Sequence, residues 1–143
     1  MFSDQEPNKE KQLTIDTTKL HLVLARYPEI QAVYLFGSVA TGTQHSDSDL
    51  DMALVPRSKT LRRQKLDILA DLAQVGFDNV DLVILDTKDL VLQYEVVRHN
   101  QIIYHTPDFE SGAFYSNIVR KYLDFLPYLE VQRQAYKRRI LNG

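Results

Sequence analysis

Residues 35–52 read LFGSVATGTQHSDSDLDM and join the ends of two predicted strands through a polar loop. Gly37 and Ser38 directly follow the apolar run IQAVYLF, whose branched and aromatic residues are typical of a buried strand. Asp49 and Asp51 open the next predicted strand. Because successive side chains of a strand point to opposite faces, these two carboxylates project to the same side. The stretch therefore predicts two carboxylates aimed at one point.

The pair of carboxylates predicts a cation site. Like charges held close together raise each other's proton affinity, so a cation is needed to keep both groups ionised. Mg²⁺ is commonly held by one or two carboxylates together with substrate phosphates, as in phosphoryl and nucleotidyl transfer. The chain has no cysteine and only four histidines, which makes zinc a poor alternative. We therefore expect Asp49 and Asp51 to bind Mg²⁺.

The Gly-Ser pair predicts a phosphate cradle at the end of the first strand. Gly37 has no Cβ, so its backbone is able to approach a phosphate closely. Ser38 offers a hydroxyl and backbone N–H groups directed at phosphate oxygens. Neither pair is specific alone, since an Asp-x-Asp sequence also occurs in solvated turns. The spacing and the strand context together favour the functional interpretation.

Asp81 is a third candidate, in the otherwise apolar segment VDLVIL about thirty residues further on. Burying an unpaired carboxylate is costly, so Asp81 must be exposed at the strand end, paired, or bound to metal. If the strands of Asp51 and Asp81 are neighbours, Asp81 completes the metal site and is also placed to accept the proton of an attacking hydroxyl. The alternative is a surface carboxylate with no role in the site.

The rest of the chain predicts a small domain of the α/β (α+β) class, in which helices flank a mixed sheet. A polar N-terminal tail, residues 1–13, precedes a domain at 14–106 and a helical extension at 107–143. The predicted strands cover residues 30–36, 50–55, 80–85 and 101–105, the last at a sheet edge. The predicted helices cover residues 17–27, 59–74, 88–99 and 109–141, with Thr87 as the cap of the third.

Composition limits the classes of function. The 143 residues fit one domain plus an appended helix, and the net charge of −2 argues against a strong, general nucleic-acid surface. No apolar stretch approaches the ~20 residues of a membrane span, and the N-terminus lacks the pattern of a secretory signal. These features predict a cytoplasmic protein with no membrane contact.

Gly37-Ser38, followed after ten residues by Asp49-x-Asp51, resembles the signature of the polymerase-β-type nucleotidyltransferase superfamily. The short chain is similar to the minimal nucleotidyltransferases, MNT proteins, that are encoded beside HEPN-domain toxins. The resemblance spans roughly residues 16–104, and the C-terminal helix is also similar. It implies a polymerase-β-like fold, nucleotide binding at Gly37 and Ser38, and metal binding and catalysis at Asp49 and Asp51, with Asp81 matching the third carboxylate.

The resemblance also implies an activity and a partner. Antitoxins of this family use Mg²⁺ and transfer AMP from ATP to a tyrosine of the HEPN toxin, which silences its ribonuclease activity. The Arg-x4-6-His signature of the HEPN domain itself is not evident in this chain, so the chain resembles the antitoxin. Two alternatives remain: a small-molecule nucleotidyltransferase of the antibiotic-modifying kind, and a noncatalytic module that neutralises a toxin by contact.

Two further groups of side chains carry competing interpretations. Tyr115, Tyr122, Phe125 and Tyr136 recur at helical spacing in the C-terminal extension, where they either pack on the domain or bind a partner. The basic residues of the second predicted helix, Arg62, Arg63 and Lys65, are able to reach a triphosphate in principle. Charges on an amphipathic helix usually form its solvated face, so we leave them out of the site.

Overall fold

A four-stranded sheet with helices on both faces forms the domain. The computed structural model describes residues 17–37, 50–86 and 88–142. In chain order, its elements are α1 (Thr17–Leu24), β1 (Ile30–Phe36), β2 (Leu50–Pro56), a 3-10 helix (Lys59–Gln64), α2 (Lys65–Gln74), β3 (Val80–Ile84), α3 (Leu90–Val97), β4 (Gln101–His105) and α4 (Ser111–Asn142).

The sheet is mixed, with strand order β3-β2-β1-β4. β1 pairs antiparallel with both β2 and β4, whereas β2 and β3 run parallel. The parallel pair is joined through the 3-10 helix and α2, as expected of a crossover connection between parallel strands. The predicted mixed sheet, the neighbouring strands of Asp51 and Asp81, and the edge position of β4 are confirmed.

Alternating side chains divide the sheet into two buried faces. The first face packs against α1 and α2, which contribute Leu20, Leu24, Ile68 and Leu72 to the larger apolar core. The second face packs against α3 and the first turns of α4. The buried residues of this second core are Ala32, Tyr34, Ala53, Val55, Val96, Val97, Phe109 and Ile118. The two cores hold β1 and β2 between them, which fixes the ends of these strands.

The second predicted helix is two helices, and its start is capped by a residue that the pattern did not identify. Ser58 has an extended backbone and its hydroxyl accepts a hydrogen bond from the Thr60 N–H at 3.3 Å, so the 3-10 helix begins there. The helix after β3 is shorter than predicted, because Asp89 is its N-cap and accepts from the Leu92 N–H at 3.1 Å. Thr87, the predicted cap, lies outside the described residues.

An arginine fixes the far end of the sheet. Arg57, just after β2, donates to both carboxylate oxygens of Asp108 at 2.8 Å, to the Thr106 hydroxyl at 3.0 Å and to the Pro28 carbonyl at 3.0 Å. The bidentate bond from Arg57 and the hydroxyl of Thr106 hold the pKa of the Asp108 carboxyl well below its usual range. This network ties β2 and β4 to the segment that leads into α4.

Among the described residues, helix α4 packs on the domain through its first half. Ile118 is buried, and the ring of Tyr122 stacks on Tyr94 of α3 with centroids 4.0 Å apart and parallel planes. The later apolar side chains Tyr128, Val131, Tyr136, Ile140 and Leu141 are each at least 59% exposed. The predicted stripe is therefore split, since Tyr122 belongs to the fold whereas Tyr136 lies on an exposed surface.

In the part of the chain that the structure describes, no helix is both long enough and apolar enough to cross a membrane.

Candidate functional site

The candidate site lies at the end of the sheet where β1 finishes and β2 and β3 begin. Phe36, the last residue of β1, pairs with Asp51 near the start of β2. Asp51 in turn pairs with Asp81 near the start of β3. Gly37 follows Phe36 directly, so the structure brings three of the predicted site residues to one end of three adjacent strands.

The two described carboxylates share one face of the sheet. Leu50 and Met52 flank Asp51 and are buried in the first core, so Asp51 faces the opposite side. Leu82 is buried in the same core and follows Asp81, which places Asp81 on the same face as Asp51. Residues in register on adjacent strands lie about 5 Å apart across the sheet. Asp51 is half-buried and Asp81 is exposed, so a ligand has access to the pair.

Gly37 is in close contact with Asp51. Its φ is +70°, in the left-handed region that favours glycine, and the turn leaves β1 there. A Cβ placed on Gly37 would lie 2.1 Å from the Asp51 Oδ2. The carboxylate therefore lies over the bare α-carbon of Gly37. The sequence predicted a glycine for phosphate approach and missed this contact, because it depends on the antiparallel pairing of β1 with β2.

Two predicted site residues, Ser38 and Asp49, lie outside the described residues. Their predicted roles in phosphate and metal binding stay predictions. Within residues 17–37, 50–86 and 88–142, no group of three or more histidine, cysteine or acidic side chains is arranged to hold a metal ion. Asp51 and Asp81 supply two oxygen-donor side chains, which is the number that Mg²⁺ often takes from a protein when substrate phosphates complete its coordination. The donor set therefore fits a magnesium ion bound together with a nucleotide.

The basic residues of the second predicted helix lie away from this site. They follow the far end of β2, and a strand advances about 3.3 Å per residue, so the five steps from Asp51 to Pro56 cover roughly 16 Å. Arg62 binds Asp86, which follows β3, with Nε–Oδ2 at 2.9 Å and Nη2–Oδ1 at 2.5 Å. The guanidinium of Arg62 lowers the pKa of the Asp86 carboxyl. Arg62 thus links the 3-10 helix to the segment after β3, at the opposite end of the sheet.

A site with this geometry is suited to bind a phosphate-bearing ligand through a metal ion. It offers two carboxylates on a partly accessible face of the sheet, and the parallel strand pair fixes their spacing. The turn beside them is formed by a glycine, which has no side chain. Acidic side chains cannot attract a polyphosphate by themselves, because both are negatively charged. A cation bound between them would hold the carboxylates and the phosphates together.

Comparisons with known proteins agree with this geometry. Residues 18–108 match the family described as Polymerase beta, Nucleotidyltransferase. A relative from Shewanella oneidensis, protein adenylyltransferase MntA, is 29% identical over 116 residues, which cover 81% of this chain and 80% of that protein.

Two solved structures share the fold along most of the chain. One chain of a crystal structure of a toxin-antitoxin with AMP-PNP is 27% identical with a TM-score of 0.69, over 89% of this chain and 99% of that one. A structure of the tri-AMPylated Shewanella oneidensis HEPN toxin in complex with MNT antitoxin gives 25% identity and a TM-score of 0.55, over 94% of each chain. The family match covers more than half of the 143 residues and contains Gly37, Asp51 and Asp81, so this chain belongs to the polymerase beta nucleotidyltransferase family.

Proposed function

We propose that this chain is an antitoxin that transfers AMP from ATP to a tyrosine hydroxyl of a partner HEPN ribonuclease toxin and thereby neutralises it. The observation that carries the proposal is the pairing of Asp51 with Asp81 on one face of the sheet, beside the Gly37 turn. The related protein adenylyltransferase MntA and the complex that contains an AMPylated HEPN toxin support the choice of nucleotide and acceptor.

The reaction requires one bond to form and one to break. The acceptor oxygen attacks the α-phosphorus of ATP, the bond from that phosphorus to the bridging oxygen of the β-phosphate breaks, and pyrophosphate leaves. The acceptor hydroxyl loses a proton in the process. Asp81 is exposed on the open side of the site, so we assign it the role of proton acceptor in addition to that of a metal ligand.

Metal binding is assigned to Asp49, Asp51 and Asp81, with Mg²⁺ as the ion. When bound, Mg²⁺ would neutralise charge on the phosphates and orient them for in-line displacement. The role of the chain itself is to hold the carboxylates at a fixed spacing. β2 and β3 do so for Asp51 and Asp81, since the buried neighbours Met52 and Leu82 fix the register of the two strands.

Nucleotide binding is assigned to Gly37 and Ser38. Gly37 follows the last residue of β1, has a positive φ, and lies beside the Asp51 carboxylate. The segment after Gly37 therefore starts at the site, and Ser38 would present its hydroxyl and N–H to the phosphates there.

We further propose that the distal half of α4 contacts the toxin. Tyr136 and Ile140 continue the helix face that Ile118 and Tyr122 use against the domain, but they are 61% and 59% exposed. Exposed aromatic and aliphatic groups on one helix are a common feature of protein interfaces. Residues 128–142 carry four basic side chains and one acidic side chain, so an acidic toxin surface is the complement we expect.

The test is incubation of the purified chain with the HEPN toxin, Mg²⁺ and each of the four labelled ribonucleotides. We expect label from ATP on the toxin, and its position on a tyrosine by peptide mass spectrometry. An unlabelled toxin with all four nucleotides, together with tight binding, would instead support the noncatalytic module. Label on an added antibiotic in place of the toxin would support the small-molecule enzyme.

The predicted division into a tail, a domain at 14–106 and an extension at 107–143 is retained as part of the proposal, as is a cytoplasmic location beside the toxin. Proteolysis of the free chain would test the division. Preferred cleavage before residue 14 is the expected result, and the extension should be cut in its exposed distal half, because Asp108 is held by Arg57 and Phe109 is buried.

A further inference from the structure

Among the described residues, Gly37 and Gly76 have a positive φ, and their surroundings differ. Gly37 has a φ of +70° and Gly76, after α2, has a φ of +102°. A Cβ on Gly76 would meet no atom within 4 Å, whereas a Cβ on Gly37 would meet three atoms of Asp51. Backbone conformation alone therefore explains the glycine at 76. At 37 there are two requirements, which are the positive φ and the space taken up by Asp51.

The space above Gly37 is taken up by the Asp51 side chain. A Cβ there would lie 2.1 Å from Oδ2, 3.1 Å from Cγ and 3.4 Å from the Cβ of Asp51. Non-bonded contacts between heavy atoms are favourable only near 3.5 to 4.0 Å, so the carboxylate cannot stay in place once a side chain is present. Side chains occupy discrete rotamers, and a clash of this size forces Asp51 into another rotamer or strains the strand.

We propose that Gly37 is a positioning residue for the Asp51 carboxylate, whose place over the bare α-carbon keeps it directed to the side that Asp81 shares. The inference rests on the proposed role of Asp51 as a metal ligand. It differs from the phosphate-cradle role predicted for Gly37, because here the glycine acts through Asp51 and not through the nucleotide.

The two roles predict different losses in Gly37→Ala. If Gly37 only approaches a phosphate, the variant loses affinity for AMP-PNP whether or not Mg²⁺ is present. If Gly37 also positions Asp51, the variant loses in addition the increase in affinity that Mg²⁺ produces. A disturbed metal site of this kind typically costs about 10-fold to 100-fold in affinity.

The experiment is titration calorimetry of AMP-PNP with and without Mg²⁺ on Gly37→Ala, with Gly76→Ala as the matched control. Both variants place alanine at a positive φ, and each is expected to lower the melting temperature. Only Gly37→Ala is expected to lose the magnesium-dependent part of AMP-PNP affinity. Equal retention of that part in both variants would overturn the inference.

A third variant, Asp51→Ala, separates this inference from the proposed function. If Asp51→Ala keeps the magnesium-dependent affinity, the metal role of Asp51 fails. If Asp51→Ala loses it and Gly37→Ala does not, only the positioning role fails. We expect Gly37→Ala to add no further loss of that affinity in the Asp51→Ala background, because the group it displaces is already absent.

Thermal melting of Gly37→Ala, of Asp51→Ala and of the double variant that combines them also covers the case in which Gly37→Ala folds poorly. Removing the Asp51 side chain removes the clash, so the double variant should melt at a higher temperature than Gly37→Ala alone. A double variant that melts at the same temperature or lower would show that the contact with Asp51 does not limit position 37, and would overturn the inference.

Discussion

Tyr34→Phe is expected to stabilise the protein. Tyr34 lies in β1 and is 0% exposed, between the sheet and the rings of Phe109 and Phe114, whose centroids are 6.4 Å and 6.0 Å from its own. Among the described residues its hydroxyl has no hydrogen-bond partner. A buried polar group without a partner costs about 1–3 kcal/mol, and phenylalanine keeps the ring.

The net gain is smaller than that cost, because removal of the oxygen leaves a small void. At about 24 cal/mol per Å³, a void of roughly 10 Å³ costs about 0.2 kcal/mol. We therefore expect the free energy of unfolding to rise by about 1 kcal/mol and the melting temperature by about 3 °C for a chain of this length. Urea unfolding at pH 7 measures the first quantity. A loss of 1 kcal/mol or more in Tyr34→Phe would show that the hydroxyl is bonded in the folded protein.

The same residue predicts a dependence on alkaline pH. Burial raises the pKa of the Tyr34 phenol from 10.0 to about 12. A group whose folded pKa is raised stabilises the fold fully below its unfolded pKa, and this stabilisation is lost as the pH rises through the folded value. The advantage of Tyr34→Phe over the native chain should therefore widen between pH 10 and about 12. Tyr27, whose pKa is also raised to about 12, is present in both proteins and does not affect the difference.

Asp51→Asn is expected to lower AMP transfer about a hundredfold or more, because several kcal/mol of metal-assisted transition-state stabilisation are lost. Its melting temperature should hold or rise, because repulsion between the carboxylates is relieved. Asp81→Asn should lower transfer by an equal or smaller factor, and near-normal turnover in either variant would contradict the metal assignment. Tyr136→Ala combined with Ile140→Ala should weaken toxin binding in calorimetry and leave AMP-PNP affinity unchanged. Leu66→Ala, at an apolar residue of α2 that is 79% exposed, is the control and should alter neither affinity; equal losses in both proteins would exclude a specific surface on α4.

The strands were predictable from local sequence. The apolar run of β1 has the bounds that the pattern predicts, residues 30–36, because a strand covered on both faces needs apolar side chains throughout. The partly exposed edge strand β4 also has its predicted bounds, residues 101–105. The start of α3 was less predictable. Thr87 and Asp89 are both residue types that favour the N-cap position. Which of them caps α3 depends on where the chain leaves β3 to pack in the second core, and Asp89 is the cap in the structure.

The site was predictable in composition but not in its contacts. Because side chains alternate along β2, Asp51 and Met52 point to opposite faces of the sheet, and this follows from the sequence of β2 alone. The closeness of Gly37 to Asp51 depends on the antiparallel register of β1 and β2, which is a long-range property set by the packing of both cores. The fate of the aromatic stripe is also a tertiary property, since Tyr122 is covered only because Tyr94 of α3 lies against it.

The proposed function depends on transfer of AMP from the Asp51 site to a protein acceptor. Intact-mass spectrometry of the HEPN toxin, after incubation with ATP, Mg²⁺ and either the native chain or Asp51→Asn, tests it most directly. We expect toxin that is heavier by one or more AMP groups, and that has lost its ribonuclease activity, only with the native chain. Toxin of unchanged mass that is nonetheless inhibited by both proteins would contradict it.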